Sequence, residues 1–284
     1  MSGLPVEPPL APPADLLYRR RIDLASDVRD LWRERTLIRT VAERDLRIRY
    51  AQFLLGPVWS LLMPLITVVV FTFLFKRIGH LNTHGIAYPL FAYVGVLAWN
   101  LFSSAVSSGS NSLLNNGMIL NKLYCPREVF PLAAIVVAIV DTTLSTVALI
   151  GLFFLYNTAP TATAIWLPVI FVIELAFVLG VALAFSTVIV YVRDLSQILA
   201  GILQAGLFLT PVAYGMDQVP HRYRFAYCAV NPMAAVIDNC RRVVLSGRSP
   251  NWNLLAPAAV TSLLVLVGGY VLFRRLEGGI ADVH

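Results

Sequence analysis

The sequence predicts an all-α polytopic membrane protein of six transmembrane helices, and three observations predict it. Hydrophobic residues make up 58% of the 284-residue chain and charged residues only 13%, which is more apolar surface than a soluble protein of this length buries. Six apolar runs each approach the roughly 20 residues that cover a hydrocarbon core of about 30 Å. The polar connections between them divide into arginine-rich and arginine-poor ones. The net charge of +6 is arginine charge, because only Lys76 and Lys122 of the 22 basic residues are lysine. It gathers at one end of the chain instead of spreading over a polar domain, so a nucleic-acid partner is not expected.

Residues 1–18 form a Pro-rich polar tail that reads as disorder and has no signal-peptide pattern. Residues 19–50 read as a cytoplasmic amphipathic interface helix, with Ala25, Val28, Leu31 and Trp32 at helical spacing and arginines and acids on the other faces. Its stripe suits the acyl boundary and its arginines suit anionic headgroups. Packing against another protein surface is the other way to cover that stripe. Residues 51–284 form the transmembrane domain, with spans at about 55–75, 88–110, 132–156, 165–191, 197–214 and 254–273.

Ten arginines between Arg19 and Arg49, and Arg274 with Arg275 after the last span, place both termini in the cytoplasm. Lys122, Arg127 and Arg193 lie in connections on that same side, and the third-to-fourth connection, Asn157 to Ala164, carries no charge. The segment from Gly215 to Asn253 departs from the rule, being external yet holding Arg222, Arg224, Arg241, Arg242 and Arg248. It is also half apolar and broken at Asn231-Pro232, which predicts two short re-entrant helices over about 219–246. Backbone at that depth survives only where protein or a water-filled cavity satisfies it.

Asp141 and Glu174 each lie about ten residues from a span end, near mid-bilayer, where an acid is a functional candidate by default. No basic residue lies within these spans, so the expected partner is a hydroxyl, a backbone group or the other acid. The pair reads either as a proton or cation site of a carrier or as hydrogen-bonded acids at a helix contact. Ser103, Ser104, Ser107 and Ser108 recur at i,i+4, which permits close helix packing or builds a polar wall for a hydroxyl-rich substrate. Ala176, Gly180 and Ala184 read as packing only.

Trp59, Phe71, Phe75, Tyr93, Trp99, Phe208 and Tyr214 are the candidate substrate-contacting aromatics, and the sequence leaves open which of them face inward. Ring faces suit the CH faces of sugars, and lipid contact and interfacial belting also account for such residues. Between the second and third spans, residues 113–127 are too polar to span and are bounded by Pro126. Leu114, Met118, Ile119 and Leu123 fall on one side, giving either a docking knob for a soluble partner or a plain loop helix. Arg47 and Arg49 stand just before the first span, suited to the phosphate of a lipid carrier or to headgroup anchoring. The chain has no GxxxxGK[ST], HExxH or GxSxG pattern, so it is not expected to be an enzyme, and nucleotide hydrolysis must come from another chain. Cys125, Cys228 and Cys240 form no CxxC or metal-ligand spacing and read as isolated thiols, with a Cys228–Cys240 bridge as the alternative.

The order of motifs resembles a known family. An interfacial helix, then Arg47-Ile48-Arg49-Tyr50, Leu55-Gly56-Pro57-Val58-Trp59 and Met63-Pro64-Leu65, is similar to the opening of ABC-2-type permeases that export O-antigen, capsule and teichoic acid. The similarity continues in Asn121-Lys122-Leu123 with Pro126-Arg127, in Tyr191-Val192-Arg193-Asp194-Leu195, in Pro211-Val212 with Tyr214 and Pro220, and in Asn231-Pro232-Met233 followed by Arg241. It runs from about Arg44 to Arg275. The resemblance implies a homodimer in a bacterial inner membrane, paired with two copies of an ATPase subunit that uses ATP and Mg²⁺, with no cofactor bound by this chain. It also implies a coupling helix carrying Asn115, Met118, Ile119, Leu123 and Arg127, an external gate carrying Asn231, Pro232, Met233 and Arg241, and an aromatic-lined channel for a lipid-linked polysaccharide. Asp141 and Glu174 match no motif of the family. Two other readings remain: a proton-coupled secondary carrier using those two acids, and an ABC-2 permease for a small lipid or drug. The lack of a visible internal repeat argues against the carrier.

Overall fold

The structure, a computed structural model, describes residues 34–51, 56, 58–78, 85–117 and 125–277. Among them there are nine α-helices and no strand: α1 (Arg35–Ala51), α2 (Val58–Phe71, continued by a π-helical segment Thr72–Ile78), α3 (Tyr88–Asn115), α4 (Val129–Leu155), α5 (Leu167–Tyr191, preceded by a 3₁₀ segment Ala162–Trp166), α6 (Leu195–Leu209), α7 (His221–Val230), α8 (Pro232–Val244) and α9 (Trp252–Glu277). The Pro-rich tail and the first part of the amphipathic segment lie outside the described residues. So do Met118, Ile119 and Leu123.

Five elements are long and apolar enough to cross a membrane: Val58–Phe75, Tyr88–Asn115, Val129–Leu155, Ala162–Tyr191 and Trp252–Glu277. The fifth predicted span, 197–214, comes out differently. Its helix α6 has 15 residues and stops at Leu209, which at about 1.5 Å per residue reaches only about 22 Å. The cause is Pro211, whose ring drives the preceding residue out of the helical region; Thr210 sits at φ −85° and ψ 146°. The expected break at Asn231-Pro232 is present, with Pro232 in the first turn of α8.

α3 is the central helix. It packs on α4 and α5, and α5 packs on α9. The core holds Tyr88, Leu90, Tyr93, Leu101, Ile170, Met233 and Ile237, so the short helix α8 belongs to the interior and is not a surface loop. Small residues let the long helices touch. A methyl group placed on Gly180 would lie 2.6 Å from the Val265 carbonyl of α9, and one on Gly109 would lie 2.9 Å from the Ala182 side chain of α5. Lipid supplies no hydrophobic drive between helices, so such backbone approach is a main source of their association. α1 buries Val41 and Ala42 with Leu113, Phe130 and Ala133, which docks it on α3 and α4. α2 is the least covered span, showing Trp59, Met63, Ile66, Val69, Val70 and Phe73 at its surface.

Candidate functional site

α1, α2, α3, α4 and α6 together line an open cleft of about 510 Å³. Its α3 wall is polar, because Asn100, Ser103, Ser104 and Ser107 fall on one face at helical spacing. Its α4 wall carries Asp141 and Thr142, α2 adds Trp59, and Arg49 from α1 stands at the edge. Arg49 Nη1 and the Tyr50 hydroxyl both donate to the Asp141 carboxylate. This corrects the expectation that Asp141 had only hydroxyls, backbone or Glu174 available. The span itself contains no base, but the end of α1 folds back across 92 residues of sequence to supply one. Burial, and then the bond to Asp141, raise the pKa of Tyr50, so its phenol stays a proton donor. Below the pair, Ser145 Oγ donates to the Ser60 carbonyl at 2.6 Å and Tyr93 Oη to the Ser145 carbonyl at 2.8 Å, which fixes the wall between α2, α3 and α4.

The seven aromatics expected to face a channel divide by environment. Tyr93 and Trp99 are core residues, the latter against Gly206 of α6 and 5.2 Å from the Phe102 ring. Phe71 is buried edge-on between Phe75 and Phe208, at 5.8 and 6.3 Å. Trp59 and Phe208 are exposed, and Tyr214 is half-buried with its hydroxyl donating to the Leu209 carbonyl at 2.9 Å.

At the opposite end, the sequence-predicted gate residues converge on the break after α6. Arg241 of α8 is buried, with Nε donating to the Phe91 carbonyl at 2.9 Å and Nη1 to those of Pro211 and Tyr214 at 2.7 and 2.9 Å. Nη2 donates to the Val212 carbonyl, and the guanidinium lies 3.7 Å from the centre of the Phe91 ring. One planar fork thus satisfies the carbonyls of Pro211, Val212 and Tyr214, left open where α6 stops, and ties them to Phe91 of α3. Asn231 Nδ2 donates to Thr210 Oγ1 at 2.9 Å, Tyr88 Oη donates to the Ala213 carbonyl at 2.7 Å, and Met233 is buried. Cys228 and Cys240 are free thiols. Among the described residues no cluster of His, Cys, Asp or Glu is suited to a metal ion.

At the α1 end, Arg44 Nη2 donates to Asn116 Oδ1 at 2.6 Å, where α3 runs out. Asn115 is exposed and Arg47 is exposed, while Arg127 donates to the Glu277 carbonyl. Glu128, buried at the start of α4, pairs with Arg274 of α9 at 2.8 Å. Sequence reasoning missed this pair as well, because its partners come from helices distant in the chain and neither stands in a motif. Glu174 is buried in α5 with Oε1 unbonded.

Five apolar helices long enough to cross a membrane, gathered beside a polar cleft, make this a multi-pass membrane domain. Residues 36–245 match the family model described as ABC-2 type transporter, and the chain belongs to that family. It is 29% identical over 252 residues to the O-antigen export system permease protein RfbA of Myxococcus xanthus, covering 88% of this chain and 96% of that one. It is 25% identical over 248 residues to the RfbA permease of Klebsiella pneumoniae, covering 87% and 94%, and 24% identical over 239 residues to the polysialic acid transport protein KpsM of Escherichia coli, covering 82% and 91%.

Proposed function

We propose that this chain is the permease subunit of an ATP-driven exporter that moves a lipid-linked polysaccharide, of the O-antigen, capsular or teichoic-acid type, across a bacterial inner membrane. The hydroxyl-rich cleft with Trp59 at its side carries this reading, since it combines hydrogen-bonding groups for sugar hydroxyls with a ring face for their CH surfaces. The relatives named for O-antigen and polysialic acid export support it. One of those names is that of an acidic polymer, so the relatives do not restrict the cargo to uncharged sugars.

Two copies assemble through the thinly covered faces of α2 and α6, with Phe208 and Trp59 towards the conduit. Two ATPase subunits, which use ATP and Mg²⁺, engage the connection carrying Asn115, Met118, Ile119, Leu123 and Arg127. Both termini lie in the cytoplasm. α6 with the turn that follows it makes the sixth crossing, and α7 and α8 re-enter the outer leaflet as the gate. Support for that crossing comes from Arg241, which removes the cost of unpaired carbonyls inside lipid. Of the two arginines expected at the carrier headgroup, Arg47 is exposed and takes that role, while Arg49 is held by Asp141.

Purifying the chain from cells that also make the candidate ATPase tests this. Co-elution with vanadate-sensitive ATP hydrolysis is expected, and its loss when Met118, Ile119 and Leu123 are all replaced by Asp. A chain that elutes alone and leaves the polysaccharide inside the cell would defeat the reading. The proton-carrier alternative turns on Glu174. An ionised carboxylate with no partner in the core would cost several kcal/mol, so Glu174→Gln is expected to retain at least about half of wild-type export. Loss of export with the folded protein intact would favour the carrier.

A further inference from the structure

Among the described residues the cleft contains one positive and one negative side chain, Arg49 and Asp141, and they are bonded to each other. Every other polar group that the described residues bring to its walls is an uncharged hydroxyl, amide or backbone group, from Ser60, Asn100, Ser103, Ser104, Ser107, Thr142 and Ser145. The pair is not sealed off, since the Asp141 side chain is 15% and the Arg49 side chain 37% accessible. A cleft meant for an anionic polymer would present its guanidinium unpaired, because a carboxylate beside the cation cancels its field and repels a second acid. A cleft with no net charge, many hydroxyls and an indole fits an uncharged sugar, whose hydroxyls both donate and accept.

We propose that Asp141 sets the charge class of the cargo: by neutralising Arg49 it makes the cleft a subsite for uncharged pyranose units and turns acidic ones away. This rests on the export reading above and narrows it. Asp141 is then a specificity-determining residue that acts through Arg49, and its carboxylate also accepts a bond from the Tyr50 hydroxyl. The serine face of α3 supplies the donors and acceptors that the sugar meets.

The test uses the full chain with its ATPase partner in lipid nanodiscs. Two probes of equal length and linkage are compared, an α-1,4-linked hexamer of glucose and one of galacturonic acid. Wild type is expected to bind the neutral hexamer at least about fivefold more tightly. Asp141→Asn, which leaves Arg49 unpaired, is expected to shift that ratio towards the acidic hexamer by about tenfold, an effect that weakens with salt. Asp141→Glu restores the wild-type preference. The double variant Arg49→Gln with Asp141→Asn is neutral again and prefers the neutral hexamer, which separates charge from mere loss of a structural pair. Equal ratios in wild type and Asp141→Asn, or no binding of either hexamer by wild type, overturn the proposal. If Asp141→Asn does not fold, the proposal stands or falls on the wild-type ratio and the double variant. Export of polysaccharide to the surface by cells carrying the wild-type complex, scored in parallel, tells the two failures apart. Export without discrimination sinks the charge-class inference alone, whereas no export and no ATPase pairing sinks the export reading.

Discussion

Replacing Arg241 by Leu is expected to lower the thermal midpoint of the detergent-solubilised protein by about 10 °C or more and to abolish export, a loss of about 4 kcal/mol. The residue is only 4% exposed, and its side chain gives hydrogen bonds to the carbonyls of Phe91, Pro211, Val212 and Tyr214. Leu fills much of the space but donates nothing. Each buried carbonyl left without a donor costs about 1–3 kcal/mol, partly offset by no longer burying a charge. Arg241→Lys is expected to recover less than half, because a single ammonium cannot reproduce the fork that spans α3 and the broken segment. Gly95→Ala is a companion test, since its methyl would collide with Nη2 of Arg241 and lie 2.8 Å from the Val212 carbonyl. Wild-type stability in both Arg241→Leu and Gly95→Ala would show that the break after α6 is held by something else.

The second large effect belongs to Gly269→Val. A β-carbon there would fall within the carbonyl group of Gly180, backbone against backbone, with no flexible side chain to give way. The helices α5 and α9 must separate, at a cost above about 3 kcal/mol, and folded protein recovered from membranes is expected to drop below about a tenth of wild type. The adjacent Gly268 is the control: a β-carbon at that position meets nothing within 4 Å, so Gly268→Ala should be neutral in yield and thermal midpoint. Equal behaviour of the two variants would mean that α5 and α9 do not cross where the geometry puts them.

The spans were legible because lipid demands long apolar helices, and α3, α4, α5 and α9 begin and end within a few residues of the expected bounds. The end of α6 was not read correctly, although Pro211 was visible; averaging hydropathy over a run hides one residue whose effect is on the backbone. Arg241 shows a different limit. It was singled out from its place after Asn231-Pro232-Met233, but its job, satisfying carbonyls of α3 and of the stretch after α6, depends on three elements meeting in space. The Asp141–Arg49 pair was hidden for the same reason. Sequence shows an acid within a span and an arginine outside one, and only the return of α1 onto α4 brings them together. Within the aromatic set, no periodicity could tell core Tyr93 from exposed Phe208.

The clasp between Glu128 and Arg274 bears on how the chain is made. α9 leaves the ribosome after α1 to α8, yet it supplies the base for an acid buried at the start of α4 and the glycine against which α5 closes. Until it arrives, α4 is without the ion pair that Arg274 gives Glu128, and α5 is without the backbone that closes on Gly180. Completion of the bundle is thereby tied to the last helix.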